Sequence, residues 1–278
     1  KFQKQQREAL KQINLNEQLN NATTTNVNSN ERTSITERWP NGLKKVVFVI
    51  KGYGLEEEIK KYYFKQNGKL DYIDKPGTNW KYLYFYNKDG NLEQEGAING
   101  YINDKYIHTG LWIEYHTNGN KSVEVNFLGN KDYPQRKNGS LILYYENGQK
   151  KEERYYKNNV KDGNWKTWYE SGKKDGEGLY KEDKFEGIQK AWYEDGTKKY
   201  EVEYMNGILN GKDKRWYSNE QIKSEENYAN GKKEGLHIAW FENGQKYYEI
   251  SYKNDVKDGN WKSWHENGEK IGEGVYEE

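Results

Sequence analysis

The chain has 278 residues, of which only 33% are hydrophobic and 32% are charged, so it lacks the apolar residues for a large globular core. It does not have the composition of a disordered chain either, because 26 Tyr and 10 Trp raise the aromatic fraction to 15%. The 45 basic and 44 acidic residues are interleaved, which argues against a nucleic-acid-binding stripe, and no apolar run is long enough to span a bilayer.

Residues 1–38 are rich in Gln, Lys, Glu and Asn, and Phe2, Leu10 and Leu19 belong to a weak apolar stripe. The stripe predicts a short helix within residues 1–20, followed by a polar Asn/Thr/Ser linker. Two interpretations remain open. The segment is either a solvated spacer between an export signal and the rest of the chain, or a helix that docks on a partner or caps the first repeat.

Residues 39–138 contain a loose repeat whose turn glycines are separated by 22 to 29 residues: Gly42, Gly68, Gly90 and Gly119. The uneven spacing, together with an insertion in the phrase NFLGNKDYPQRKNG, predicts irregular β-hairpins. These hairpins either cap the array that follows or carry binding features of their own.

Residues 139–278 contain a strict repeat of 24 residues that is marked by an acid-Asn-Gly turn phrase. The predicted structural turn glycines are Gly148, Gly172, Gly196, Gly244 and Gly268, and Glu220 takes the place of glycine in one unit. A tryptophan stands four residues before each of the last five turn positions: Trp168, Trp192, Trp216, Trp240 and Trp264. With the loose copies, the chain has about ten units.

Each unit is predicted to be a β-hairpin. A strand such as NWKTWYE runs into Asn-Gly or Asp-Gly, residues that tolerate positive φ in a two-residue type I′ turn, and a second strand such as KKYEVEYM follows. This turn places the residue six before the turn position opposite the residue five after it. The predicted pairs are Lys166–Glu177, Lys190–Glu201, Lys214–Glu225 and Lys262–Glu273, with Ile238–Glu249 as the exception. The repeated glutamates are therefore interpreted as cross-strand partners and not as catalytic acids.

The alternation of side chains along a strand places the periodic tryptophans on the same face as the Lys–Glu pairs, and the periodic tyrosines on the other face. One hairpin cannot bury its own surface, so stability must come from stacking between neighbouring units. The predicted fold is an all-β, elongated, single-layer array of about ten antiparallel hairpins, with a short N-terminal helix.

One phrase occurs twice, 96 residues apart: VKDGNWKTWYESGKK at 160–174 and VKDGNWKSWHENGEK at 256–270. Four periods of 24 residues separate the copies. The match favours duplication of a four-unit block over a superhelical repeat of four units.

No constellation in the sequence predicts catalysis or metal binding. The four histidines, His108, His116, His237 and His265, have no metal-ligand spacing, and His237 occupies the repeat position of Trp165. The chain has no cysteine, which excludes disulfides and thiolate metal sites and is compatible with an exported protein. We therefore expect no catalytic residue, no cofactor and no metal.

The segments GNWKTWYESGKKDGEGLYKEDKFEG and GLHIAWFENGQKYYEISYKNDVKDG resemble the variant class of MORN repeats found in bacterial proteins, which includes the family often labelled YwqK-type antitoxins. The resemblance covers residues 139–278 well and residues 39–138 loosely. It implies an elongated hairpin array used in protein or membrane association, and the antitoxin label implies a toxin partner. It implies no catalytic residue.

The leading functional hypothesis is a non-enzymatic scaffold that binds a protein partner through an extended aromatic and charged β surface, with the five periodic tryptophans as candidate binding residues. Three alternatives remain open: neutralisation of a toxin, binding of glycans or cell wall through rings on successive hairpins, and peripheral membrane contact, which the balanced charge disfavours. We expect a monomer that is exported or surface-associated in a bacterium in preference to a cytoplasmic one.

Overall fold

The protein is known from a computed structural model, which describes residues 31–38, 44–51, 58–65, 69–74, 80–87, 89–102 and 105–277. Every regular element within these ranges is a β-strand. Accordingly, none of the described residues belongs to a helix that could cross a membrane. The helix predicted within residues 1–20 lies outside the described residues. The chain divides into two compact units, residues 1–77 and 78–278.

The first unit contains four strands, which pair antiparallel in chain order. They are Glu31–Arg38 (β1), Lys44–Lys51 (β2), Glu58–Phe64 (β3) and Leu70–Asp74 (β4).

The second unit is an open antiparallel meander in which the strands pair with their neighbours in sequence. Its strands are Trp80–Tyr86 (β5), Leu92–Ile102 (β6), Lys105–Tyr115 (β7), Lys121–Leu128 (β8), Lys137–Tyr144 (β9), Lys150–Lys157 (β10), Val160–Lys161 (β11), Gly163–Trp168 (β12), Lys174–Lys181 (β13), Lys184–Trp192 (β14), Lys198–Met205 (β15), Ile208–Trp216 (β16), Ile222–Ala229 (β17), Lys232–Lys233 (β18), Gly235–Trp240 (β19), Lys246–Lys253 (β20), Val256–Trp264 (β21) and Lys270–Tyr276 (β22). The two-residue strands β11 and β18 continue into β12 and β19.

The prediction of an all-β fold built from about ten antiparallel hairpins is confirmed. Ten pairs of strands flank the predicted turn positions, from β1–β2 to β21–β22. The division between the two compact units falls after Gly77. The proposed divisions after residues 38 and 138 stay predictions.

The turns of the acid-Asn-Gly phrase differ from the predicted type. In one of them the Gly172 N–H donates to the Tyr169 carbonyl at 2.9 Å, and the Tyr169 N–H donates to the Lys173 carbonyl at 2.8 Å. Gly172 has φ 82°, whereas Ser171 is not among the residues with positive φ. The loop therefore has three residues, of which only the last is left-handed, as in a type I turn followed by a left-handed residue.

Two-residue turns occur instead between the units. Asn158 and Asn159 have φ 53° and 71°, and Lys157 pairs directly with Val160. Positive φ at both central residues is the mark of a type I′ turn. The prediction of a type I′ turn at the Asn-Gly phrase is therefore wrong, because this turn type lies at the other end of the hairpin.

The predicted register is nevertheless right. Lys166 lies opposite Glu177, and the other four predicted pairs also form. The reason is a bulge, because Thr167 pairs with Gly176 while Trp168 pairs with Lys174. The extra loop residue shifts the register by one residue, and the bulge shifts it back.

In the regular repeats the buried residues lie on one face of the sheet, called the core face here, which carries the residues seven and five positions before each turn. In the irregular repeats it holds an apolar cluster of Ile98, Trp112 and Val125. In the last five regular units the position seven before the turn carries a buried polar side chain or a tryptophan: Trp165, Gln189, Asp213, His237 and Trp261. The core of the regular repeats is therefore narrow and partly polar.

Candidate interaction surface

The opposite face, called the ladder face here, carries one continuous row of paired side chains from β5 to β22. The row consists of Tyr84, Glu95, Ile113, Glu124, Ile142, Glu153, Lys166, Glu177, Lys190, Glu201, Lys214, Glu225, Ile238, Glu249, Lys262 and Glu273. From Glu153 onward, glutamate and lysine alternate except at Ile238, and before Glu153 the lysine positions hold Tyr84, Ile113 and Ile142.

The five periodic tryptophans also lie on the ladder face, where all of them are half-buried. Four of them lie beneath a lysine ammonium of the preceding unit. The distances from Nζ to the ring centroid are 5.7 Å for Lys150 over Trp168, 4.9 Å for Lys174 over Trp192, 5.3 Å for Lys198 over Trp216 and 5.9 Å for Lys246 over Trp264. These are cation–π contacts. The tryptophans thus form a stripe that lysine side chains partly cover.

Each of these lysines also contacts a glutamate of its own unit, three residues further along. The Lys174 ammonium lies 2.9 Å from Glu177, and the Lys150 ammonium lies 3.1 Å from Glu153. The predicted cross-strand partner is within reach as well at Glu201, which lies 3.6 Å from Lys190. Exposed pairs of this kind contribute about 0–1 kcal/mol each, so they order the surface more than they stabilise the fold.

Tyrosine hydroxyls fix the backbone under the tryptophans. The tyrosine three residues before each turn donates to the carbonyl of the tryptophan in the next unit. The bonds are Tyr145 to Trp168 at 2.9 Å, Tyr169 to Trp192 at 2.8 Å, Tyr193 to Trp216 at 2.9 Å and Tyr217 to Trp240 at 2.9 Å. Phe241 occupies the next position in this series and has no hydroxyl.

The turn asparagines add a second link between units. Asn243 Oδ1 accepts from the Gln245 N–H at 2.9 Å, which closes its own turn, while its Nδ2 donates to the Glu266 carbonyl of the next unit at 2.8 Å. Asn147 and Asn219 make the same pair of bonds. Asparagine is therefore favoured at this turn position because of its side-chain hydrogen bonds. A left-handed backbone is not the reason, since the φ of these asparagines is not positive.

In the last irregular unit and the first regular one, tyrosine replaces tryptophan on the ladder face and donates a hydrogen bond to a glutamate. The Tyr115 hydroxyl donates to Glu95 Oε1, and the Tyr144 hydroxyl donates to Glu124 Oε2 at 2.9 Å. Partial burial raises the pKa of the Glu95 carboxyl, and a hydrogen bond from Tyr115 opposes that rise. Burial also raises the pKa of Tyr144. Sequence reasoning missed this cluster, although the tyrosine at the tryptophan position was a visible signal.

Two of the four histidines, His108 and His237, lie in the core. His237 is fully buried, and its Nε2 lies 2.8 Å from the Asn227 carbonyl, to which it donates. His108 stacks on Trp112 with ring centroids 3.9 Å apart. Burial lowers the pKa of both histidines, that of His108 to about 4. Across the part of the chain that the structure describes, no group of three His, Asp or Glu side chains could hold a metal ion.

Comparison with models of protein families shows to which family this chain belongs. Seven segments match the family described as MORN repeat variant: residues 109–128, 137–158, 161–182, 185–206, 209–230, 233–254 and 257–278. The chain belongs to the MORN repeat variant family. The matches cover more than half of its length, and each falls on one hairpin. No curated protein matches this MORN repeat variant chain.

Among solved structures, two chains illustrate how distant the similarities are. One, in the crystal structure of TcdB2-TccC3-Cdc42, is 8% identical with a TM-score of 0.23, and the match covers 84% of this chain and 16% of that chain. The other, in the crystal structure of TcdB2-TccC3-TEV, is 10% identical with a TM-score of 0.24 and covers 84% and 14%. The MORN repeat variant chain thus spans a small part of the length of both, and such low TM-scores support no argument about function.

Proposed function

We propose that this protein is a non-enzymatic scaffold that binds a protein partner along the ladder face of its regular repeats. The observation that carries the proposal is a set of apolar side chains that remain exposed beside the charged row. They are Leu179 (37% exposed), Ile188 (52%), Leu236 (45%) and Val275 (61%). Apolar groups that recur along one face, rimmed by charges, are typical of interaction surfaces.

The chemistry of the face suits a protein partner. Neighbouring strands are about 4.8 Å apart, so the row from Lys166 to Glu273 presents opposite charges at roughly the spacing of side chains in another polypeptide. Lysine stems and indoles supply apolar area between the charges. The tyrosine and asparagine bonds hold this surface in one conformation, which lowers the entropy cost of binding.

Site-specific photocrosslinking tests the proposal. A photoreactive side chain is placed at Ile188 or Leu236 on the ladder face and, as a control, at Glu194, an exposed residue of a turn. We expect both ladder-face positions to label the same protein in an extract of the native source, and Glu194 to label it far less. The proposal fails if the three positions label the same background proteins equally, or if neither ladder-face position labels any protein.

The other hypotheses are less well supported. Neutralisation of a toxin would be one case of protein binding, and the identity of the crosslinked protein would reveal it. Glycan binding needs open aromatic faces, whereas a lysine lies over four of the five tryptophans. Export, surface association and a monomeric state stay predictions.

A further inference from the structure

Trp240 differs from the other four periodic tryptophans. The lysine over each of the other four rings comes from one fixed repeat position of the preceding unit. For Trp240 that position holds Ile222, which pairs with Trp216 just as Lys198 pairs with Trp192. Isoleucine is two heavy atoms shorter than lysine and carries no charge. Among the described residues, therefore, no ammonium is placed over the Trp240 ring.

The charged row departs from its pattern at the same place. Ile238 stands where four other regular units have lysine, between Glu225 and Glu249. Glu225 keeps Lys214 at 2.6 Å as its ion-pair partner, and Glu249 keeps Lys246. By comparison, Glu201 in a regular unit is close to two lysines, Lys190 at 3.6 Å and Lys198 at 3.1 Å.

The framework around Trp240 is unchanged. The Tyr217 hydroxyl donates to the Trp240 carbonyl at 2.9 Å, and the Asn219 Nδ2 donates to the Glu242 carbonyl at 2.8 Å, as in the neighbouring units. Trp240 is half-buried like the other four tryptophans. The unit thus retains the support for a lysine contact but has lost the lysine.

Exposed apolar surface adjoins this place. Leu236, Ile238 and Trp240 alternate along β19 on the ladder face, and Leu236 is 45% exposed. A ligand would therefore meet an indole and carboxylates together with aliphatic side chains. A bare inorganic cation would leave the aliphatic side chains in water.

We propose that Trp240, Glu225 and Glu249, with Ile222, Ile238 and Leu236 around them, form a seat for a lysine or arginine side chain of the partner protein, flanked there by apolar residues. This inference rests on the proposed function and names the chemistry of its partner. The incoming cation would complete the contact that the chain makes with its own lysine in four other units, over the indole and beside a glutamate.

Indole N–H signals of the ¹⁵N-labelled full chain test the seat. The probe is a capped pentapeptide Ser-Leu-Lys-Leu-Ser, and Ser-Leu-Glu-Leu-Ser is the control peptide. We expect the lysine peptide to shift the Trp240 signal saturably, with an apparent affinity about threefold or more above that of the control. Equal effects of both peptides, or equal shifts of Trp240 and Trp192, would overturn the proposal.

Two variants exchange the seat between units. Ile222→Lys installs the equivalent of the lysine that lies over a tryptophan ring in four other places, and we expect it to weaken peptide binding at Trp240 about threefold or more. Lys198→Ile recreates the Ile222 arrangement beside Trp216, and we expect a new saturable shift of the Trp216 signal. Both side chains already occur at this repeat position, so loss of folding does not confound the result. An unchanged peptide affinity in Ile222→Lys contradicts the seat.

The same variants separate the two proposals. If Ile222→Lys abolishes the peptide effect while the photoreactive Ile188 position still labels the partner, the seat and the scaffold both stand. If the peptide has no effect but labelling persists, only the seat is wrong. Binding of choline in place of the lysine peptide would assign the seat to a quaternary ammonium headgroup and would also refute the proposal.

Discussion

The indole Nε1 of Trp165 donates a hydrogen bond of 2.8 Å to Oε1 of Gln189, so the same repeat position of two successive units is joined directly within the core face. Space for this bond exists because the strand between them carries Gly178. A Cβ at that position would lie 1.8 Å from Gln189 Oε1 and 2.7 Å from Trp165 Nε1. The glycine at Gly178 is thus required by the tryptophan across from it.

We expect Gly178→Ala to lower the free energy of unfolding by about 1–3 kcal/mol, because overpacking of a filled site has costs of this size. Gln189 cannot simply swing away, since its Nε2 donates to the Glu186 carbonyl at 2.9 Å. Urea unfolding followed by circular dichroism measures the effect. The control is Gly187→Asn, at a position with φ 65° and no atom within 4 Å of an added Cβ, where asparagine tolerates the left-handed conformation. An equal loss in both variants would contradict the steric explanation.

The tyrosine series predicts both a loss and a gain. Tyr193→Phe removes the hydroxyl that donates to the Trp216 carbonyl and should destabilise the chain by about 1 kcal/mol. Phe241→Tyr should extend the series to the Trp264 carbonyl and stabilise the last two hairpins by about 0.5–1 kcal/mol. Hydrogen exchange of the β21 amides would report the gain. If Phe241→Tyr leaves that exchange unchanged, the hydroxyl is not what couples the units.

The two bonds of the turn asparagine can be separated. Asn243→Asp keeps the acceptor for the Gln245 N–H but loses the donor to the Glu266 carbonyl, whereas Asn243→Ala loses both. We expect a loss of about 0.5–1 kcal/mol for the aspartate and about twice that for the alanine, measured by thermal unfolding. The chain supplies the reciprocal control, because Asp195 already stands at this position and accepts from the Thr197 N–H at 2.8 Å. Asp195→Asn should not destabilise, and a loss there would contradict the assignment.

Acidification should weaken the fold through its buried histidines. Burial lowers the pKa of His237, and it lowers the pKa of His108 from 6.5 to about 4. Below pH 6.5 the unfolded chain therefore binds protons that the folded chain does not, and stability falls as the pH falls. The contribution of His108 is fully lost near pH 4. We expect His108 to account for a loss on the order of 2 kcal/mol at pH 5, and His237 to add a loss in the same direction.

His237→Gln is the matched variant for this pH dependence, because Gln189 occupies the same repeat position in another unit. Urea unfolding at pH 7.5 and pH 5 should show a smaller difference in the variant than in the parent chain. An equal difference in both would mean that His237 does not contribute to the pH dependence.

The period of the chain was enough to predict the number of hairpins and the register of each. The predicted register was right although the predicted loop length was wrong, because the bulge at Asp175 compensates for the extra loop residue. Such a bulge cannot be seen in a pattern of residue types. Asparagine in the turn was interpreted as a backbone preference, whereas its side chain bonds to the next unit. Contacts between units depend on how neighbouring strands stack, and a single repeat contains no information about that stacking.

The candidate surface was predictable in part. Alternation along the strands placed Trp168 and its equivalents on the face of the Lys–Glu row, where the structure has them. The lysine above four of the five rings could not be predicted, since it comes from the unit before. The replacement of lysine by isoleucine at Ile222 was visible in the sequence. Its effect on Trp240 could not be inferred until the structure showed where the two residues lie.

The hydroxyl-to-carbonyl bond between Tyr145 and Trp168 is repeated between Tyr169 and Trp192 with the same donor and acceptor atoms. If one whole period were deleted, Tyr145 would therefore meet Trp192 as it now meets Trp168. Loss of a single residue within a strand would instead turn every later side chain of that strand to the opposite face. The protein can thus grow or shrink in evolution by whole hairpins without redesign of its joints, and each added unit can keep its own lysine or leave a place for one from outside.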